Sequence, residues 1–516
     1  MPSQDRLEPA IIKAGIVVVL GTIMSILDTT IVAVALHTLS GDFHVNVDTI
    51  QWVTTGYLLS LAIVIPVSGW AIHRIGAKPV YMISLALFIL GSVLCGFAWS
   101  ATSLIIFRVL QGLGGGMIMP VGQSIMARAA GPQRMGRVMG IIGVPQLLGP
   151  ILGPVLGGVI VSNTSWRWIF FVNVPFGIVA LAVTAAALPN AGVRKQHVID
   201  YAGIITLTIA ASSLMLFTSL GGSSFAWGSW KSVALFVAGV VFTIAFIMIE
   251  RRSSEPVLAP SLFANRVFSS ASAIGFVVGF AMFGAMTFLP LYFQDVHGAS
   301  PTNSGLRLLP MMVGLFSASI IVGQLVSKGW KYRPFPIAGT AVMTIGIGLL
   351  GTIGVTTSTL VTGVYMLILG IGIGLVMQIL ITAVQNAVNP ADVGAATAGS
   401  NFFRSIGGSF GTAVFGAIFT NELPRQLAAG LKSSHYRGTL PPASQWTPTK
   451  LRALPAQALD VIVHAISSSI SHIYLLAIPV GVVALLLSLT LPEVKLRTSL
   501  HPVADEIPLS NADPIL

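Results

Sequence analysis

Apolar side chains run almost without interruption through fourteen stretches of about twenty residues each, separated by short polar breaks. They fall at roughly 14–36, 49–71, 79–98, 103–127, 138–161, 168–188, 201–221, 232–249, 268–291, 306–327, 335–354, 361–384, 397–419 and 468–491. At about 1.5 Å of rise per residue, stretches of this length match a hydrocarbon core of about 30 Å. Each therefore predicts a membrane-crossing helix. Lipid offers the backbone no hydrogen-bond partners, so the expectation is an all-α membrane protein of fourteen spans.

The polar breaks set the orientation. Lys and Arg gather in the N-terminal segment (Arg6, Lys13) and in alternate breaks, among them Arg74 with Lys78, Arg128 with Arg134 and Arg137, and Arg251 with Arg252. The opposite short breaks hold only Arg167, Lys231 and Arg307. This asymmetry predicts that both termini are cytoplasmic. The expected host is the plasma membrane, the inner membrane of a two-membrane cell. A Pro- and Ser-rich segment at about 420–467 is expected to be an extracytoplasmic loop with a short helix near 455–467. Composition agrees, with 54% hydrophobic and only 8% charged residues, where soluble chains carry about a quarter charged. The net charge of +11 follows from topology rather than from a nucleic-acid surface, because the basic residues are scattered singly and in pairs. The single cysteine, Cys95, excludes an intramolecular disulfide.

An internal repeat is visible at an offset of about 258 residues. Gly112, Gly114 and Gly116 match Gly370, Gly372 and Gly374, and Gly149 and Gly153 match Gly407 and Gly411. At a slightly shorter offset Gly69 matches Gly323. The first six spans thus correspond to the last six, with two inserted between (6 + 2 + 6). The expected division is 1–190 for the first bundle, 191–260 for the inserted pair, 261–495 for the second bundle and 496–516 for a cytoplasmic tail. Parallel repeats of this kind enclose a substrate site near the midplane.

Candidate chemistry is confined to few residues. Asp28 lies in the middle of the first run, where a carboxylate is costly unless protonated, paired or facing water. Arg108 lies deep in the fourth run, on one helical face with Gln111, and cannot shed its charge. Asp28 is its expected partner, and two readings stand: a structural ion pair, or a proton-coupling pair. Burial favours the neutral acid and a nearby guanidinium favours the carboxylate, so a change in their contact moves a proton. Arg404 is a second cation in a span, on a stripe with Asn401, and no deep acid matches it; it lies near the cytoplasmic mouth or meets an anion, and it is a candidate for the conformational switch. Gln111, Gln123, Gln146, Gln324, Gln378 and Asn401, set among Met and Phe, are candidate cavity residues. Gly149-Pro150, Gly153-Pro154 and Gly157-Gly158 combine close packing with helix bending and are candidates for a conformational switch.

These motifs resemble the major facilitator superfamily, specifically its fourteen-span drug:proton antiporter group (EmrB- and QacA-like). Leu27-Asp28-Thr29-Thr30 resembles that group's first-span motif, Arg108-x-x-Gln111-Gly112 its fourth-span motif, and the doubled Gly-Pro run its antiporter motif. Trp166-Arg167-Trp168 with Asn173 and Pro175 resembles its approach to the sixth span. The resemblance implies a major facilitator fold, a proton-coupling role for Asp28 and a loop latch at Gly69, His73, Arg74, Gly76 and Lys78. His73 stands where the family usually has Asp. Either the latch is pH-sensitive or His73 is a solvated loop residue.

The expected function is proton-coupled export of hydrophobic small molecules, including drug efflux and hence antibiotic resistance. The alternatives are a dedicated exporter of an endogenous metabolite, lipid or siderophore, and a non-transporting membrane sensor. No nucleophile–base pair, metal cluster or nucleotide loop is present in the sequence, so neither an enzyme nor a cofactor is expected and the proton gradient is the energy source. Expected partners are hydrophobic substrates, protons and membrane lipid, with a periplasmic adaptor left unassigned and no nucleic acid.

Overall fold

The structure, a computed structural model, describes residues 9–45, 47–188, 200–221, 225–253, 256–389, 392–434 and 454–494. The expected tail at 496–516 and the linker at 191–199 lie outside them. Among the described residues the fold is helical, with an isolated two-residue bridge between Gly221 and Phe225. The helices are α1 (Pro9–Asp42), α2 (Val47–Ile75), α3 (Ala77–Gly96), α4 (Ala101–Asn163), the short α5 (Trp168–Phe171) and α6 (Asn173–Ala187). They continue with α7 (Tyr201–Leu220), α8 (Trp230–Glu250), the short α9 (Pro260–Ala264) and α10 (Arg266–Leu291), which ends in a π-helical turn at Tyr292–Val296. The remainder are the short α11 (Pro301–Leu306), then α12 (Leu309–Ser327), α13 (Pro334–Leu350), α14 (Thr359–Ala387), α15 (Val393–Ser433) and α16 (Ala456–Leu489).

Twelve helical segments among the described residues are long and apolar enough to cross a membrane. Two predicted spans are not among them. α13 is apolar but only 17 residues long. The fourth and fifth runs, expected as two helices, form the single 63-residue α4, with helical backbone through Arg128–Arg137. Yet α4 doubles back. Gly122 lies on Val18 and Gly15 faces Met126, whereas Gly149 lies on Ile26 and Gly153 on Thr30. Val18 and Ile26 are about 12 Å apart along α1, while Gly122 and Gly149 would be about 40 Å apart on a straight helix. The two arms of α4 therefore run antiparallel and parallel to α1, and both its ends, Leu104 and Ile160, meet in one apolar cluster with Ile31, Ala35 and Leu39.

Of the loop expected at 420–467, the described residues are mostly helical: the helix expected near 455–467 is present as the start of the last helix, and the stretch after 420 is helical where a loop was expected. α15 continues to Ser433 and α16 begins at Ala456, leaving 435–453 outside the described residues. Polar composition there marked the end of the lipid-facing stretch rather than the end of the helix; Glu422 is reached by Gln426 at 2.6 Å, an i,i+4 pair that supports continued helix.

The repeated glycines occupy equivalent contacts. Gly112 and Gly116 let α4 approach the backbone of α2 at Tyr57 and Leu61, and Gly114 meets α3 at Ser84 and Phe88. Gly370 and Gly374 do the same for α14 against α12 at Met311 and Leu315, and Gly372 meets α13 at Met343. Gly149 and Gly153 lie on α1, as Gly407 and Gly411 lie on α10 at Phe276 and Phe280. A Cβ in any of these places would collide with a neighbouring helix, so sequence spacing and helix packing are one pattern. α7 packs on α8, α2 and α15. α8 packs on α7 and leaves Val233, Val237, Val241, Ile244 and Ile247 exposed, a row suited to lipid.

Candidate functional site: a buried carboxylate network

Asp28 is fully buried and lies on the face of α1 turned toward α3, α4 and α6. Its Oδ2 pairs with Arg108 Nη1 at 2.5 Å. Its Oδ1 accepts hydrogen bonds from Gln111 Nε2 and Asn173 Nδ2, both at 2.8 Å. Arg108 Nη1 also donates to Gln111 Oε1 at 2.7 Å, and Arg108 Nε donates to the Val53 carbonyl of α2 at 3.2 Å. The guanidinium carbon stands 3.9 Å from the centre of the Tyr57 ring, a cation–π contact that faces the positive charge with aromatic electrons. Ser92 on α3 accepts from Gln111 Nε2 at 2.7 Å. Five helices thus converge on one ion pair, and its formal charges cancel.

The local sequence explains the convergence. Arg108 and Gln111 are three residues apart and share a helix face. Asn173 opens α6, just after the aromatic turn of α5, whose Phe170 is buried and stands 5.8 Å from the guanidinium. Thr30, two residues beyond Asp28, donates to the Gly149 carbonyl at 3.2 Å, which ties the glycine-rich second arm of α4 to the helix that carries the acid. Asp28 and Arg108 are brought together as expected from sequence. Gln111, expected in a cavity, is instead fully buried inside this network. Asn173, Ser92 and Tyr57 were not among the expected site residues; their signal was a polar group amid apolar neighbours, which an ordinary helix-packing residue also gives.

A second polar group lies between α4 and α15. Gln123 Oε1 accepts from Asn401 Nδ2 at 2.8 Å, and Asn401 Oδ1 accepts from Arg404 Nη2 at 2.6 Å. Near it α2 and α15 touch closely: a Cβ on Gly69 would lie 2.7 Å from the Ala395 Cα, and one on Gly394 would lie 3.2 Å from Ile72. Gln378 is buried and donates to Thr382 at 3.3 Å within α14. Gln324 is exposed on α12, because its neighbour Gly323 takes the inward position. The side chains of Gln146, Pro150, Pro154 and His73 lie outside the described residues, although their backbones are helical.

Of the expected latch, Gly76 turns between α2 and α3 with φ of 90°, a conformation that favours glycine. Lys78 Nζ donates to the carbonyls of Ala185 and Leu188 at 2.8 and 2.6 Å, closing the end of α6. Arg74 lies 5.7 Å from the Trp70 ring centre. Gly157 packs on Ile31, whereas a Cβ on Gly158 would meet no other group within 4 Å.

Among the described residues the protein is a bundle of apolar helices folded on an internal repeat, with the Asp28–Arg108 ion pair sealed inside. The sequence profile of the Major Facilitator Superfamily matches residues 18–207 and 193–412, and the chain belongs to that family. It is 40% identical over 493 residues to an uncharacterized MFS-type transporter of Mycobacterium tuberculosis, covering 95% of this chain and 70% of that one. It is 35% identical to the multidrug transporter protein MdtP of Bacillus subtilis, covering 88% and 87%, and 32% identical to multidrug resistance protein 3 of the same organism, covering 93% and 95%. Among solved structures, the human organic anion transporter MFSD10 superposes with a TM-score of 0.60 at 12% identity, covering 92% of this chain and all of that one. The proton:xylose symporter XylE also gives 0.60, at 16% identity, covering 94% and 96%. These two share the fold.

Proposed function

We propose that the protein exports hydrophobic small molecules in exchange for protons, with Asp28 as the coupling acid. The observation that carries this reading is the placement of Asp28: fully buried, held by Arg108, Gln111 and Asn173 from two other helices, and locked against the glycine-rich arm of α4. A proton arriving at the carboxylate removes its charge and weakens its hold on Arg108, which must then find other partners or shift. α1, α2 and α4 all bear on that pair, so protonation acts on the packing between helices rather than on one side chain. Proton entry on the extracytoplasmic side and release on the cytoplasmic side, opposite to cargo, completes the cycle. The kinship to relatives named for multidrug transport supports hydrophobic cargo.

In the same reading the chain crosses the membrane fourteen times. The second arm of α4 and the short α13 add to the twelve long segments, giving six-helix bundles at 1–190 and 261–495, an inserted pair at 191–260, and both termini in the cytoplasm.

Purified protein in proteoliposomes, given a fluorescent lipophilic dye and an imposed pH gradient, tests the proposal. Gradient-driven accumulation that stops when an ionophore collapses the gradient is expected. Dye movement at the same rate with and without the gradient contradicts it.

A further inference from the structure

A cavity of about 720 Å³ opens between α2, α7, α10 and α15, on the far side of α2 from the charge network. Val53 and Tyr57 meet Arg108 on one face of α2, while Thr55 and Leu58 line the cavity on another. Helix α7 contributes Met215, Leu216 and Thr218 to one wall. The volume lies within the roughly 300–1,000 Å³ typical of small-molecule sites.

Among the described residues the lining carries no ionisable side chain and no side-chain amide. Its polar atoms are hydroxyls, and these have a direction. Thr218 donates to the Met215 carbonyl at 2.9 Å, Ser409 to Ser405 at 3.2 Å, Thr412 to Gly408 at 3.1 Å and Thr420 to Gly416 at 2.9 Å. Four of the six lining hydroxyls thus direct their protons to their own helix and leave oxygen lone pairs for a guest; Thr55 and Ser405 carry the other two. A wall in which most hydroxyls present lone pairs favours a guest that brings N–H or O–H groups, and among the described residues it gives an anion no countercharge.

We infer that this chamber binds an uncharged lipophilic molecule that donates hydrogen bonds, and that the inserted helix α7 is part of its binding site. The inference deepens the export reading and rests on it for the identity of this molecule as cargo. Its test is equilibrium binding without any gradient, so failure here and failure of proton coupling are seen separately.

Three probes of one shape decide the chemistry: N-phenyl-1-naphthylamine, a neutral N–H donor; its N-methyl analogue, which has lost the donor; and 8-anilino-1-naphthalenesulfonate, the anion. Binding is read by fluorescence against protein in nanodiscs, with empty nanodiscs subtracted. Saturable binding of the amine is expected, with roughly fivefold weaker binding of the N-methyl analogue and at least about tenfold weaker binding of the sulfonate.

Location is tested by filling the chamber from two walls. A Cβ on Gly416 would meet open space, so Gly416→Phe projects into the cavity without a clash at its base. Met215→Trp fills it from α7. Each lowers amine affinity at least about tenfold, while Val237→Phe on the exposed face of α8 leaves it unchanged. Should one filled variant fail to insert, the other decides. Amine binding untouched by filling, or lost equally in the α8 control, overturns the location; equal binding of the amine and its N-methyl analogue, or of the sulfonate, overturns the chemistry.

Discussion

Arg108 and Asp28 are each untenable alone where they sit. Neither has access to water, and the nearest formal charge to each is the other. Leaving one charge of a buried pair unmatched costs about 3–5 kcal/mol, whereas replacing both with apolar groups costs far less. Arg108→Leu is therefore expected to lower the thermal stability of the detergent-purified protein by an amount of that order, and Asp28→Leu with Arg108→Leu to recover most of it. A double variant no more stable than the single one would show that the two charges are not coupled. Asn173 supplies one of the two neutral donors to Asp28. Asn173→Leu removes a hydrogen bond to a charged group, about 1.5–3 kcal/mol, and is expected to slow gradient-driven transport at least about tenfold while the protein still inserts. The ion pair was legible in the sequence because both residues break an apolar run. Asn173 was not, since a single polar residue near a span end has many uses and its distance from Asp28 in the chain hides their meeting.

At the scale of helices, contact is set by where side chains are missing. Gly411 places the backbone of α15 against that of α10 at Phe280, and a larger residue there would force the two helices apart. Gly411→Val is expected to destabilise by about 1–3 kcal/mol, the usual cost of overpacking, read as a lowered melting temperature. Gly416→Ala, one and a half turns further along the same helix, meets open space and is expected to leave the melting temperature unchanged. The repeat spacing announced these close approaches before any contact was known. It did not announce that α4 would stay helical while doubling back, because Gly131-Pro132 and three arginines between the arms look like an ordinary loop. Nor did it show that α15 would run on past its apolar stretch, since helix length is decided by backbone pairing and apolar length only by the lipid.

Across the whole molecule, α2 separates two environments, the charge network on one side and an uncharged chamber on the other. In the proposed cycle a proton and a lipophilic guest would act on the same helix without competing for one group. The chamber itself was invisible in the sequence. Thr and Ser on an apolar helix look alike whether they face lipid, another helix or a cavity, and the expected cavity residues, all Gln and Asn, were sought by polarity. Gln111 and Asn401 instead spend their amides on Asp28 and Gln123. The helices α7 and α8 read in the sequence only as a break in the repeat; packing gives α7 part of the chamber wall and leaves a row of apolar residues of α8 exposed.

The most direct test compares the parent with Asp28→Asn in proteoliposomes, measuring both dye accumulation driven by a pH gradient and dye exchange at equal pH. The account predicts that Asp28→Asn, which keeps the shape of the side chain and one acceptor oxygen but cannot gain or lose a proton, retains exchange and loses accumulation. Accumulation by Asp28→Asn at the parental level would contradict it.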